Sequence, residues 1–191
     1  MLSGLKHRFL FLIDRTALCL LRIGLTPNMS TVIGFIFAAF AGSAFFMRIS
    51  NDLTYIVSPF FVLISGVFDA LDGSMARLSG RTTKFGGVLD STLDRFGEVL
   101  ILSGITLGGL ANPFWGMAAI SCSLMVSYVR ARVEVEEVKM SGVGFAERAE
   151  RMLILVAATF LGFIEYGVIL VAILSAITVA QRMFYAYRHL N

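Results

Sequence analysis

Charge is what this chain most lacks. Only 15% of its 191 residues are Asp, Glu, Lys or Arg, while 57% are apolar and the mean hydropathy is +0.81. That balance excludes a soluble globular domain, in which about a quarter of the residues carry charge. Cysteine and histidine are equally thin, with two of each. Cys19 and Cys122 show no CxxC spacing and lie in apolar stretches, which leaves a small hydrophobic role and no chemistry. His7 and His189 stand at opposite ends of the chain without a partner at ligand spacing, and read as interfacial or solvent-facing groups. There is no low-complexity tract and no visible internal repeat, and nothing points to a nucleic-acid partner.

What is present is lipid-soluble sequence. A helix needs about 20 residues to cross the hydrocarbon core, so this length holds about six spans and no second soluble domain. The expectation is one all-α integral membrane domain over residues 1–191. The apolar run Phe9–Ile13 follows Lys6 and Arg8 but is cut short by Asp14 and Arg15, below the roughly seven residues a signal peptide needs. At 100° per residue, Leu5, Phe9, Leu12, Thr16 and Leu20 share one side, and Arg8, Arg15 and Arg22 another. This pattern predicts an interfacial amphipathic helix over 5–22, the alternative being a surface helix packed on the bundle. Spans are expected at about 29–47, 53–78, 84–108, 114–138, 145–163 and 168–187. Thr26-Pro27, Thr83 and Asn112-Pro113 supply caps or turns before three of them. Of the sixteen Lys and Arg residues only Arg48 falls on the opposite side from the rest. The positive-inside bias therefore places both termini in the cytoplasm, as six spans require.

Four carboxylates break the apolar pattern: Asp69 and Asp72 near the end of the second span, Asp90 and Asp94 near the start of the third. An ionised Asp in a bilayer costs about 3 kcal/mol even on lenient scales, so something must compensate them. Asp69 stands eight residues before Arg77 and Asp94 ten after Lys84, which puts them about 12–15 Å along their helices, within the cytoplasmic leaflet. On each helix the acids share a stripe with small residues, Gly73, Ala76 and Gly80 on one, Gly86 and Gly97 on the other. As antiparallel neighbours the two spans would turn these stripes toward each other. Mutual repulsion opposes full ionisation of four such groups, and two oxygen-ligated divalent ions, Mg²⁺ or Mn²⁺, would relieve it while keeping positions open for phosphates. Metal, acid and open groove suggest diphosphate chemistry. The competing reading is a packing stripe whose acids pair with Arg77, Arg81 or Arg95.

At these residues the sequence resembles the CDP-alcohol phosphotransferase family. The signature D-x2-D-G-x2-A-R, eight residues, G-x3-D-x3-D is met at Asp69, Asp72, Gly73, Ala76, Arg77, Gly86, Asp90 and Asp94. The resemblance implies transfer of the substituted phosphate of a CDP-linked lipid to a polar alcohol, with release of CMP. It carries Asp69, Asp72, Asp90 and Asp94 over as ligands of two ions, with Asp94 also the catalytic base. Asp69, Gly73, Ala76, Arg77 and Gly80 would bind the CDP-lipid. It further implies a homodimer, while the positive-inside bias puts the Asp cluster, and so the active site, on the cytoplasmic side of the cell membrane. Asp90-Ser-Thr-Leu-Asp94-Arg95-Phe-Gly-Glu98, Ser127-Tyr-Val-Arg130-Ala-Arg132 and Glu147-Arg148-Ala-Glu-Arg151 are similar to the phosphatidylinositol phosphate and archaetidylinositol phosphate synthases, which makes inositol 1-phosphate the expected acceptor. Ala149 and Arg130 depart from the Pro and Lys frequent in those enzymes. Independently of the resemblance, Arg130, Arg148, Arg151 and Arg182 sit at cytoplasmic span ends, and Arg130, Arg148 and Arg182 among them are expected to form an acceptor-phosphate site. Glycerol 3-phosphate is the alternative acceptor. An intramembrane prenyltransferase would be expected to carry Asp motifs far apart in the chain, and an ion or proton transporter would favour acids at the midplane.

Overall fold

The computed structural model describes residues 2–48, 51–80 and 82–190, with side-chain surroundings from residue 11 onward except at 51 and 52. Leu5, Lys6, His7, Arg8 and Phe9 of the N-terminal helix, and Arg81, lie outside the described side chains. The described residues form seven helices and no strand: α1 (Leu2–Arg22), α2 (Pro27–Met47), α3 (Asn51–Ser79), α4 (Lys84–Leu107), α5 (Pro113–Glu134), α6 (Arg148–Phe160) and α7 (Ile164–Leu190). Hydroxyl or amide side chains cap three of them. The backbone N–H of Met29 donates to Thr26 Oγ1, that of Gly86 to Thr83 Oγ1 and that of Phe114 to Asn112 Oδ1.

Four helices, α2, α3 from Leu53, α5 and α7, are long and apolar enough to cross a bilayer. Large apolar side chains on them face outward, with Phe40 52%, Met117 62% and Phe184 56% exposed. Water would not support so much exposed apolar surface, and this is a membrane protein. α4 has 24 residues, a membrane-spanning length, but carries Asp90, Asp94, Arg95 and Glu98. α5 stops at Glu134 because Glu134, Glu136 and Glu137 crowd the negative end of the helix dipole. α6 has 13 residues, about 20 Å, shorter than the expected 145–163. Its start is delayed because residues 143–147 are held in a non-helical path by side chains from α6 and α7.

α1 packs on α3 through Ile13 and Ala17, which are buried against Leu71 and Met75. Leu12 is 61% exposed, so the packed face is displaced by one residue from the Leu12–Thr16–Leu20 stripe. Ser74 Oγ donates to Asp14 Oδ1 at 2.6 Å, and this bond requires Asp14 to face the bundle.

The arrangement of α3 and α4 differs from the expected direct pairing. Both pack chiefly on α2, which runs between them, and they touch each other little. Small residues allow this. A Cβ on Gly97 would meet Ala38, one on Gly104 would overlap the Gly42 carbonyl, and one on Gly108 the Phe45 carbonyl. Gly97 thus serves close packing on α2 and not a facing stripe. With α2 between them, α3 and α4 leave room for a groove just before and after the short link that joins them.

Candidate active site

Two helices deliver the acids into that room. α3 carries Asp69, Asp72, Gly73 and Ala76 on one face, at the three- and four-residue spacings that align side chains along a helix. α4 brings in Asp90 and Asp94 a helical turn apart. Asp69, Asp72 and Asp90 each place a carboxylate oxygen within 4.8 Å of the others. Asp72 is buried and accepts a hydrogen bond from Thr31 Oγ1 of α2 at 2.8 Å. Asp90 Oδ1 is buried with no hydrogen-bond partner, a state that costs about 1–3 kcal/mol or more for a charged group. An all-carboxylate set with one orphaned oxygen fits a hard divalent cation such as Mg²⁺ or Mn²⁺.

Asp94 stands outside this trio. Arg148 Nη1 lies 2.5 Å from its Oδ1 and 3.3 Å from Asp69 Oδ1, and Arg95 Nη1 lies 3.5 Å from its Oδ2. Arg95 is itself steered by Ser127, whose Oγ accepts from Arg95 Nε at 3.0 Å.

The acids divide two cavities. On one side is a groove of about 180 Å³ lined by Asp72, Gly73 and Ala76 of α3, Gly86, Gly87 and Asp90 of α4, Pro27, Asn28 and Thr31 of α2, and Thr82 and Thr83. On the other is a cavity of about 230 Å³ lined by Asp69, Asp94, Arg95, Arg130, Glu147, Arg148, Arg151 and Arg182, among others. A narrow cleft bounded by Thr31, Asp69, Asp72, Asp94 and Arg148 lies between them. A ligand in the groove and a ligand in the arginine-lined cavity would therefore meet at the carboxylates.

Of the residues expected from sequence, Gly73 and Ala76 line the groove. Arg77 is exposed beside it, its Nη1 3.4 Å from where a Cβ on Gly73 would sit. Gly80 turns the chain after α3 at φ +64 and is not part of the groove wall. Arg130, Arg148 and Arg182 converge on the second cavity. Arg182 is 2% exposed and two of its nitrogens are committed to backbone, Nε to the Val143 carbonyl at 2.9 Å and Nη1 to the Val126 carbonyl at 2.6 Å. Its Nη2 faces Glu147 Oε1 at 3.6 Å. Arg130 Nε donates to Glu134 Oε1 at 3.0 Å.

The profile of CDP-alcohol phosphatidyltransferases matches residues 24–180, most of the chain and all of the acid cluster. The chain belongs to that family. It is 38% identical over 193 aligned positions to the archaetidylinositol phosphate synthase of Pyrococcus horikoshii, covering 100% of this chain and 99% of that protein. Identity to the archaetidylinositol phosphate synthase of Methanothermobacter thermautotrophicus is 40% over 176 positions, 89% of this chain and 87% of that one. The fold is similar to the crystal structure of Mycobacterium tuberculosis phosphatidylinositol phosphate synthase with CDP-DAG bound, at a TM-score of 0.80 and 28% identity, covering 92% of this chain and 93% of that one. The same enzyme in complex with manganese and citrate matches at a TM-score of 0.80 and 29% identity, over 92% and 88% of the two chains.

For this CDP-alcohol phosphatidyltransferase, sequence reasoning passed over several groups at the site. Thr31, which holds Asp72, and Asn28, at the groove mouth, lie on α2. Only their place just after the Thr26-Pro27 cap hinted that this end of α2 reaches the acids. Glu147, between Arg130 and Arg182, appeared in the sequence only as the first residue of the Glu147–Arg151 segment that carries the resemblance and was given no role. Arg151 stood among the span-end arginines, but its buried pairing with Glu98 is one that no local spacing connects.

Proposed function

We propose that this chain transfers the lipid-bearing phosphate of CDP-diacylglycerol or CDP-archaeol to inositol 1-phosphate and releases CMP. The observation that carries this reading is the partition: one set of carboxylates walls both a groove lined by small residues and a cavity lined by arginines. Relatives named as inositol phosphate lipid synthases support the choice of acceptor.

Asp69, Asp72, Asp90 and Asp94 hold two divalent ions, Mg²⁺ or Mn²⁺. Bound there, such ions neutralise the carboxylates and polarise the diphosphate. Gly73 and Ala76 leave space for the diphosphate against the α3 backbone, Asp69 and Arg77 complete the CDP-lipid site, and Gly80 turns the chain so that Thr82 and Thr83 reach its wall. Arg130, Arg148 and Arg182 bind the acceptor phosphate and orient its free hydroxyl toward the acids. That hydroxyl oxygen bonds to the lipid-bearing phosphorus. The bond from this phosphorus to the bridging oxygen breaks, CMP departs, and the hydroxyl proton passes to Asp94. Residues 1–191 act as one membrane domain crossing six times, with α1 at the interface, both termini and the site cytoplasmic, and two copies forming a homodimer.

CMP release from purified protein tests the reading, with Mg²⁺, one CDP-lipid, and inositol 1-phosphate, inositol, glycerol 3-phosphate or serine as acceptor. Fastest turnover is expected with inositol 1-phosphate. Turnover with glycerol 3-phosphate alone would replace the acceptor, and no turnover with any polar alcohol would remove the enzyme reading.

A further inference from the structure

α4 and α6 meet through two arginine–carboxylate rungs. Arg148 and Arg151, three residues apart, share a face of α6, and Asp94 and Glu98, four apart, share a face of α4. The outer rung is Arg148–Asp94, at the edge of the arginine-lined cavity. The inner rung is a two-pronged pair, Arg151 Nε to Glu98 Oε1 at 2.6 Å and Nη2 to Glu98 Oε2 at 2.8 Å. Its side chains are 1% and 3% exposed.

The third nitrogen of the same guanidinium reaches the loop before α6. Arg151 Nη1 donates to the Ala146 carbonyl at 2.8 Å, while the Ala146 N–H donates to Thr178 Oγ1 at 3.2 Å and the Val143 carbonyl accepts from Arg182 Nε. Gly144 lies between these anchors at φ +115, where a Cβ would overlap Thr178. Glu147 and Arg148, which face the cavity, directly follow this clamped segment.

A buried ion pair adds little net stability compared with apolar packing of the same volume, so stability alone is a weak reason for its presence. Its geometry supplies a better one. A fork that grips both oxygens of one carboxylate cannot accommodate a one-residue slide of α6, about 1.5 Å, without breaking both bonds. We infer that Glu98 and Arg151 are positioning residues: the buried pair fixes α6 and the 143–147 loop against α4 and so aims Arg148 and Glu147 at the acceptor. The inference rests on the reading of this cavity as the acceptor-phosphate site.

The test uses the full-length protein in detergent and two variants, Arg151→Lys and the double variant Glu98→Leu with Arg151→Met, which removes both charges together. KM for inositol 1-phosphate and for CDP-lipid is measured by CMP release, acceptor Kd by calorimetry, and folding by thermal unfolding. Both variants are expected to keep the unfolding temperature and, within about twofold, the CDP-lipid KM, while acceptor KM and Kd rise about tenfold or more. An unchanged acceptor KM and Kd in folded variants overturns the inference. So does a parallel loss of kcat, both KM values and unfolding temperature, which marks general destabilisation. Wild-type protein that releases no CMP with any phosphorylated polyol fails the functional reading and this inference together. Wild-type turnover with unshifted acceptor binding in the variants fails the inference alone.

Discussion

Replacing Asp90 by Asn separates the electrostatic cost of the acid cluster from its use. Its carboxylate oxygen lies within 4.8 Å of an oxygen of Asp69 and one of Asp72. At an effective dielectric of about 20, two unit charges at that separation repel by about 3.5 kcal/mol. Asp69 is 41% exposed on its side chain and pairs with Arg148, so solvent, the guanidinium and the incomplete ionisation that mutual repulsion imposes reduce the net relief to about 1–2 kcal/mol. Asp90→Asn also makes the desolvated Oδ1 part of a neutral amide. In chelator the variant should therefore unfold at a higher temperature than wild type, by about 2–8 °C for a chain of this size. Mg²⁺ should reverse the order. Wild type at a hundred times its Kd gains about 2.7 kcal/mol from binding, whereas the variant, with a ligand charge removed, should gain far less and release little CMP. Thermal unfolding in EDTA and in millimolar Mg²⁺, alongside CMP release, reads both halves. A variant less stable than wild type in EDTA, or one with an undiminished Mg²⁺ shift, would refute the reasoning.

Thr31→Val removes the hydroxyl that donates to Asp72 and keeps the volume. Mg²⁺ titration of turnover should show an affinity about tenfold weaker, with the acceptor KM unchanged. Asp94→Asn should lower turnover by about a hundredfold or more, while calorimetry finds most of the CDP-lipid affinity retained; full activity would remove Asp94 as the base. Gly104→Val drives a side chain into the Gly42 carbonyl across the α2–α4 contact and should cost about 1–3 kcal/mol or more, seen as loss of a monodisperse peak in detergent. Gly66→Ala, with nothing within 4 Å of the new Cβ, should be neutral or stabilising by about 0.5–1 kcal/mol.

The helices were legible from sequence because each rests on a local rule. Thr26-Pro27, Thr83 and Asn112-Pro113 mark starts through caps whose partners lie within three residues. The α5 end and the short α6 were less legible. α5 stops early at its run of glutamates, and the start of α6 depends on the segment 143–147, whose carbonyls are taken by Arg151 of α6 and Arg182 of α7. α1 shows the same limit. Its amphipathic period was readable, but the face it buries is set by a hydrogen bond from Ser74, sixty residues away. Gly97 was misread for a related reason: a glycine that admits a ligand and one that admits a neighbouring helix look alike until the neighbour is known.

By itself the sequence determined that this is a membrane protein, that its acids cannot face lipid, and that their spacing is that of the CDP-alcohol phosphatidyltransferases. The first two follow from composition and from the cost of charge in hydrocarbon, and the third from the resemblance of Asp69–Asp94 to the family's signature, all of which are local. Only the tertiary structure decided that α2 separates α3 from α4, that the carboxylates wall two cavities, and that Thr31, Glu147 and the Glu98–Arg151 pair surround them. Those facts depend on which helices pack together, and backbone contact through small residues such as Gly42 and Gly104 settles that at separations no local pattern records.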